Sequence, residues 1–228
     1  VALLGGRQLG FAILMHDAAH GALHPNRKVN NFVGQWLTGA MVGSDLLAYR
    51  TYHLQHHKYT QQAEDPDLAL SKPFPTTPAS LRRKIIRDLT GQTFLKQRVA
   101  QFAFAWIGLK AMLRGTQIAP AQKGTKGGTL FNKQSSAAVS APTKDLAGAI
   151  SVTKATARFL TMQALLLAAS LTLYGWTPYL LWLAALATTF QAYLRIRNIA
   201  EHACTTTGSE DPFSHARTTH AGLLARAT

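Results

Sequence analysis

FLTMQALLLAASLTLYGWTPYLLWLAALATTFQAYL, from Phe159 to Leu194, is a run of 36 residues without one charged side chain. A turn sequence, Gly175-Trp176-Thr177-Pro178, divides the run into two halves, and each half approaches the roughly 20 residues that cross a bilayer core. Basic residues flank both outer ends of the run: Lys154, Arg158, Arg195 and Arg197. Because basic flanks mark the cytoplasmic ends of membrane helices, we predict a transmembrane hairpin with both ends in the cytoplasm. The alternative is a buried hairpin of a soluble helical bundle.

The N-terminal part of the chain is apolar in shorter stretches. Residues 1–15 are interrupted by Arg7 and Gln8, and we interpret them as the last part of a membrane helix whose start is missing. Residues 29–49 are apolar but rich in glycine, which favours one or two short helices at the membrane surface. Together these patterns predict an all-α, multi-pass membrane helical protein with a cytoplasmic, histidine-bearing cap and a partial N-terminal span.

A helical pattern resumes near Leu81 and continues to about Leu113. Four large apolar residues recur in it at helical spacing: Phe102, Trp106, Leu109 and Leu113. Beside Lys110 and Arg114, they indicate either an amphipathic helix in the membrane interface or an ordinary helix that faces the core. Residues 115–150 are rich in small and polar side chains and predict an irregular cytoplasmic connection.

The net charge of +14 is concentrated in one part of the chain. Residues 82–158 contain 14 Lys and Arg against two acids, Asp88 and Asp145, a local excess of +12. Such an excess suits an anionic lipid surface, an acidic protein or nucleic acid. We predict no nucleic-acid partner, because no base-stacking or groove-entering motif accompanies the charge. The single cysteine, Cys204, excludes an internal disulfide and a cysteine-rich metal site, and we expect it to be a small buried residue.

Two histidine clusters have helical spacing. HDAAH, residues 16–20, places two histidines one helical turn apart, and HLQHH, residues 53–57, places three on one helix face. Neutral imidazole is the commonest nitrogen ligand of iron, zinc, copper and nickel, so we interpret the clusters as a metal site. Asn198 and His202 follow the hairpin on the same predicted side of the membrane, so we expect His202 to join the site. The candidate ligands are His16, His20, His53, His56, His57 and His202.

Four motifs resemble the integral-membrane fatty acid desaturase superfamily: HDAAH, HLQHH with Tyr49-Arg50 just upstream, EDPD at residues 64–67, and NIAEH at residues 198–202. The resemblance implies two iron ions, held almost wholly by histidines on the cytosolic caps of four membrane helices. It implies that the enzyme activates O2 and removes two hydrogens from an acyl chain, carried by a lipid, by CoA or by acyl carrier protein. Electrons would come from a ferredoxin, a cytochrome b5 or a fused equivalent. Asn198 matches the family asparagine that reaches iron through water.

The sequence departs from the family pattern in one respect. No third histidine box, HxxHH or QxxHH, follows NIAEH before Thr228. His215 and His220 lie in that region, but their HxxxxH spacing does not fit, and we do not count them among the ligands. With the apolar start at Val1, this suggests a fragment that covers the central part of the enzyme, or else a shortened, inactive form. We expect residues 1–228 alone to be inactive or nearly so.

Other functions stay open on the sequence. A diiron lipid hydroxylase or carotenoid ketolase of the same superfamily would use the same chemistry. A zinc-dependent membrane hydrolase normally carries a catalytic glutamate inside HxxxH, where this chain has Asp17. A non-catalytic membrane protein is the third alternative. Spacing alone does not distinguish iron from zinc.

The chain is interpreted as a single partial desaturase domain, residues 1–228. Its parts are the two histidine boxes (1–60), a basic cytoplasmic segment (81–156), the hairpin (159–194) and the NxxxH segment (195–228). Four acidic residues adjoin the histidines in sequence: Asp17, Asp65, Asp67 and Glu201. We expect them to orient the imidazoles, although Asp65 and Asp67 could equally be solvated helix caps.

Overall fold

The computed structural model describes residues 1–115 and 146–205, which fold into helices joined by short turns, with no strand in these two ranges. The α-helices are α1 (Ala2–His20), α2 (Arg27–Phe32), α3 (Ala40–Val42), α4 (Leu46–Lys58), α5 (Leu68–Ser71), α6 (Pro78–Leu89), α7 (Gln92–Leu113), α8 (Leu146–Leu173), α9 (Thr177–Ala187) and α10 (Thr189–His202). A π-helical segment, Val33–Gly39, joins α2 to α3. The predicted all-α class is confirmed.

Helices α8 and α9 form an antiparallel hairpin. Near the turn, Tyr179 donates its backbone N–H to the Ser170 hydroxyl at 3.2 Å, and farther away Trp182 donates through Nε1 to the Gln163 side chain at 3.1 Å. The turn lies at Gly175, where it was predicted, and Gly175 adopts a φ of 78° that few other residues accept. However, α8 begins at Leu146. The predicted helix start at Phe159 was therefore wrong, and so was the predicted irregular connection for residues 146–150.

The second half of the hairpin is divided at Thr188. This residue has φ −122° and ψ −85°, outside the helical range, so the predicted second span is two helices and not one. The Thr188 hydroxyl donates to the Ala184 carbonyl, and the Thr189 hydroxyl donates to the Val1 carbonyl at 3.1 Å. Such side-chain bonds compete with the helical backbone ladder. Among the described residues, α8 alone has the length and apolar composition to cross a membrane.

Helix α7 packs antiparallel to α8 through small residues. Gln101 donates to Thr156 at 3.1 Å, Thr153 donates to the Ala105 carbonyl at 2.9 Å, and a Cβ at Gly108 would overlap the Ala149 carbonyl oxygen. The small side chains at this contact therefore allow the two helix backbones to pack closely together. The predicted single helix 81–113 is interrupted at Thr90-Gly91, because Gly91 has a φ of 76°.

The opposite face of α7 is a stripe of exposed apolar side chains. Its members are Leu95, Val99, Phe102, Trp106, Leu109 and Leu113. Phe102 is 43% exposed and Leu113 is 78% exposed, so the interpretation of this pattern as a core-facing helix was wrong. A position in the membrane interface stays a prediction for α7.

Two apolar clusters and a chain of amide contacts hold the helices together. Val42, Phe159, Leu186 and Phe190 form one cluster, and Met15, Ala18, Ala19 and Leu46 form the other. Between them, Gln8 donates to the Trp182 carbonyl at 2.9 Å, and Gln163 donates to the Met41 carbonyl at 3.1 Å. These bonds pair the NH₂ groups of Gln8 and Gln163 in an apolar setting, where an unpaired donor would be costly.

Two ion pairs join distant parts of the chain. Arg158 on α8 binds Asp45, the residue that caps α4 by accepting from the Ala48 N–H at 2.9 Å. Arg195 on α10 binds Asp88 at the end of α6. The basic flanks that the sequence placed at the ends of the hairpin are therefore partly used in tertiary contacts.

Three sequence expectations concern positions near or beyond the described ranges. Cys204 is exposed, so the expectation of a buried cysteine was wrong. The predicted connection at residues 116–145 lies outside the described residues, and so do His215 and His220.

Candidate metal centre

The first histidine box forms the last turn of α1. The helix ends at Gly21, whose φ of 80° turns the chain away. Carbonyls of the last helical turn are bound by side chains from elsewhere: Arg50 donates to Ala19 at 2.9 Å and to Ala18 at 2.8 Å, and Asn30 donates to Ala18 at 2.9 Å. These contacts fix the helix end that carries the first two candidate ligands.

The second histidine box lies on α4, which crosses the end of α1. Asp45 caps α4, and Gln35 supplies a second cap by accepting from the Leu46 N–H at 3.1 Å. Leu46 is fully buried and packs against Met15, just before the first box, and Ala18, inside it. The packing of α4 on α1 therefore brings the two boxes together, although they are distant in sequence.

Four histidines from the two boxes form one cluster. The ligand nitrogens of His16, His20, His53 and His57 all lie within 4.8 Å of one another. His53 is at the centre: its Nε2 is 3.0 Å from Nε2 of His20 and 2.9 Å from Nε2 of His57. Nitrogens on one first-row metal ion, with bonds of about 2.0–2.1 Å, are separated by about 3–4 Å. The four nitrogens therefore need only a small adjustment to hold an ion.

The cluster favours uncharged imidazoles. Burial, followed by the neighbouring histidines His16, His57, His56 and His20, lowers the pKa of His53 to about 2. Burial and the same crowding also lower the pKa values of His20 and His57. Neutral imidazole is the form that binds metal, so the surroundings keep these side chains ready for a cation.

His56 and His202 form a second pair beside the cluster. Their rings are nearly perpendicular, at 87°, with centroids 4.7 Å apart. Burial lowers the pKa of His202 to about 4, and its Nδ1 is buried with no hydrogen-bond partner among the described residues. A buried imidazole nitrogen without a partner is costly unless a cation or water binds it. The pair therefore adds two imidazoles next to the four-histidine cluster.

Outer partners orient several of these rings. Buried Asp65 accepts a hydrogen bond from Nδ1 of His56 at 2.8 Å, which leaves Nε2 of that ring for a metal. Tyr49 stacks on His53 with its hydroxyl 3.3 Å from Nδ1, and Asp17 lies 3.0 Å from Nδ1 of His16.

The four acidic neighbours differ in what they bind. Burial alone would raise the pKa of Asp65, but hydrogen bonds from His56 and from the backbone N–H groups of Asp67 and Gln61 lower it. Asp67 instead accepts from the Tyr52 hydroxyl, and burial raises its pKa to about 7. Glu201 binds Arg197 at 2.8 Å. The orienting contact expected of Asp65 is observed, whereas Asp67 and Glu201 have other principal partners.

The four-histidine cluster is compatible with a metal ion held by nitrogen. Every sequence-predicted histidine lies in the cluster or in the adjoining pair, as the expected convergence of the two boxes with His202 requires. A family model described as Fatty acid desaturase matches residues 1–227. The chain belongs to the fatty acid desaturase family. No curated protein and no solved structure gives a significant match to the chain.

The desaturase family is a family of membrane-associated oxidoreductases known for the use of iron, and the histidine cluster is compatible with this. Asn198 lies on α10 one helical turn before His202 and is half-buried. Its predicted contact with a metal through water stays a prediction.

Several contacts that shape the site were not predicted from the sequence. Tyr49 stands one turn before His53 on α4, a spacing from which their contact could have been predicted. Arg50 and Asn30 act on backbone carbonyls of α1, and Gln61 acts on a backbone carbonyl of α10. The sequence does not show which backbone carbonyls need a donor, so no pattern predicted these three contacts, although Arg50 belongs to the motif before the second histidine box.

Proposed function

We propose that the protein is a membrane fatty acid desaturase that uses two histidine-held iron ions and O2 to introduce a double bond into an acyl chain. The observation that carries the proposal is the convergence of six histidines, from three separate segments, in a member of the desaturase family. When bound, the iron pair would supply the oxidising power to break an unactivated C–H bond, which no side-chain acid or base can do.

The proposal divides the ligands between two ions. One ion would be held by the four-histidine cluster of His16, His20, His53 and His57. His56 and His202 would contribute to the second, with Asn198 binding it through a water molecule. The role of the remaining polypeptide is to keep these imidazoles oriented and close: Asp65 and Tyr49 set two ring orientations, and Arg50 holds the end of α1.

The proposal also includes the surroundings of the site. We place α8 and the segments α9–α10 across the bilayer as part of a multi-pass protein, with the histidines on the cytoplasmic face. His20 and His57 are exposed at one side of the cluster, which gives an acyl-lipid, acyl-CoA or acyl-carrier-protein substrate a route to the ions. A ferredoxin or cytochrome b5 type donor would supply electrons.

The basic surface suits the donor or the lipid surface. Exposed arginines of α6, with an exposed lysine on each of α7 and α8, face solvent: Arg82, Arg83, Arg87, Lys96 and Lys154. Each cation near an anionic surface contributes about 1 kcal/mol of attraction, and salt weakens it. Binding to anionic vesicles or to an acidic donor protein that did not depend on ionic strength would contradict this part of the proposal.

Gas chromatography of acyl chains tests the proposed reaction in cells that express residues 1–228 joined to a segment with a third histidine box, because residues 1–228 alone are expected to be inactive or nearly so. We expect new unsaturated chains that require O2 and disappear in His56→Ala, while His24→Ala, an exposed histidine away from the cluster, retains them. Hydroxylated chains or ketocarotenoids in place of alkenes would assign the protein to the hydroxylase or ketolase branch. No O2-dependent product would contradict the enzymatic proposal.

A further inference from the structure

We infer that Gln61 is a positioning residue that fixes His202 against His56 and so sets the second ion position. This inference rests on the proposed metal centre. Gln61 follows the second histidine box, in the turn after α4, and it is 7% exposed. Its φ of 62° is unusual for a residue other than glycine, so its surroundings must hold it in place.

The backbone of Gln61 binds the partner of His56. Its N–H donates to Oδ2 of Asp65 at 2.8 Å, while Oδ1 of the same carboxylate accepts from His56 at 2.8 Å. The Asp67 N–H donates to Asp65 as well, also at 2.8 Å. The carboxylate that orients His56 is therefore itself fixed by backbone groups of the turn that contains Gln61.

The side chain of Gln61 binds the segment that carries His202. Its Nε2 donates to the His202 carbonyl at 2.9 Å, at the last residue of α10, where helix carbonyls lack an intrahelical partner. Its Oε1 accepts from buried Ser71 at 3.3 Å on α5, which sets the orientation of the amide. One residue thus connects the end of α10 to the carboxylate behind His56.

The two contacts explain why the His56 and His202 rings meet. The four-histidine cluster is built from the packed helices α1 and α4 alone, whereas His202 comes from the far end of the chain. The Gln61 amide ties the residue that bears this ring to the same turn that orients His56. Loss of the amide should therefore weaken the second ion position and leave the first intact.

The experiment titrates metal-free, detergent-solubilised protein with Co²⁺ and follows its visible absorption. Gln61→Gly keeps the backbone conformation accessible and removes the amide, whereas Gln61→Glu keeps the size but replaces the donating NH₂ by a second oxygen. The matched controls are Gln62→Gly and Gln62→Glu at the exposed neighbouring residue. Both Gln61 variants should bind the second Co²⁺ about 10-fold more weakly or worse and the first unchanged, and the controls should match the parent protein.

Two results would overturn the inference. Wild-type affinity for both ions in the Gln61 variants would show that the amide does not position His202, and equal loss of both ions would show a general structural role. If the parent protein takes up no Co²⁺, the proposed function fails, and hydrogen exchange in the metal-free protein still tests the contact. Amides of residues 198–205 should then exchange about 10-fold faster in Gln61→Gly than in Gln62→Gly, and equal rates would refute the inference.

Discussion

Asp88 and Arg195 form a buried ion pair that fastens the end of α6 to the middle of α10. Asp88 is fully buried, accepts from Nη2 of Arg195 at 2.9 Å and from a second nitrogen of the same guanidinium, and also accepts from the Thr93 hydroxyl at 2.6 Å. Arg195 lies two helical turns before His202. The pair therefore joins α6, in the basic segment 81–156, to α10, which carries His202.

Asp88→Ala should be among the most destabilising single changes in the chain. It leaves the Arg195 guanidinium without its buried counter-charge, which costs about 3–5 kcal/mol in comparable cases. Thermal unfolding in detergent measures the effect, with Glu64→Ala as the control at an exposed acid. The double change Asp88→Leu with Arg195→Met should cost less than the sum of the single changes, and strict additivity would contradict a direct pair.

Arg50→Lys should weaken metal binding at the four-histidine cluster although it preserves the charge. The Arg50 guanidinium binds the Ala18 and Ala19 carbonyls together, and a lysine cannot present two donors in that fork. We expect a loss of about 2–3 kcal/mol of stability and a lower affinity for the first Co²⁺. Arg27→Lys, at an exposed arginine, should change neither quantity. Unaltered Co²⁺ binding in Arg50→Lys would show that the end of α1 holds its histidines without this contact.

Two glycine substitutions should act in opposite directions. A Cβ at Gly108 would overlap a backbone oxygen of α8, so Gly108→Ala must push α7 and α8 apart and should cost about 1–3 kcal/mol. Gly6 in α1 has nothing within 4 Å of the position that a Cβ would take, so Gly6→Ala should stabilise the helix by about 0.5–1 kcal/mol. Urea or thermal unfolding of the two variants gives the comparison. Equal stability of both would contradict the close α7–α8 contact.

The histidine site could be predicted from the sequence much further than the helix boundaries could. The spacing of residues 16–20 and 53–57 fixes which imidazoles share a helix face. The side of the membrane on which His202 lies stays a prediction from the basic flanks of the hairpin. The break at Thr188 was not predictable, because an apolar run containing two threonines is equally compatible with a continuous helix. The pairing of α7 with α8 was not predictable either, because it depends on the fit of Gly108 and its neighbours against residues of α8 that lie far away in the sequence.

The exposed cysteine allows a direct test of membrane topology. Cys204 is the single cysteine of the chain and lies two residues after His202. A membrane-impermeant maleimide should label it only from the cytoplasmic side. In a Cys204→Ser background, a cysteine introduced as Tyr174→Cys, at an exposed residue beside Gly175, should be labelled only from the opposite side, because the turn lies at the other end of α8. Labelling of both positions from one side would contradict the transmembrane hairpin.

Metal analysis of the purified protein tests the central claim, that the six histidines hold two iron ions. Iron content per chain and iron X-ray absorption would be measured for the parent protein, for His53→Ala at the centre of the cluster, and for His24→Ala, an exposed histidine outside it. We predict about two iron ions per chain with imidazole nitrogen ligands, a marked loss of iron in His53→Ala, and none in His24→Ala. A parent protein that retains no iron, or equal iron in all three proteins, would contradict the claim.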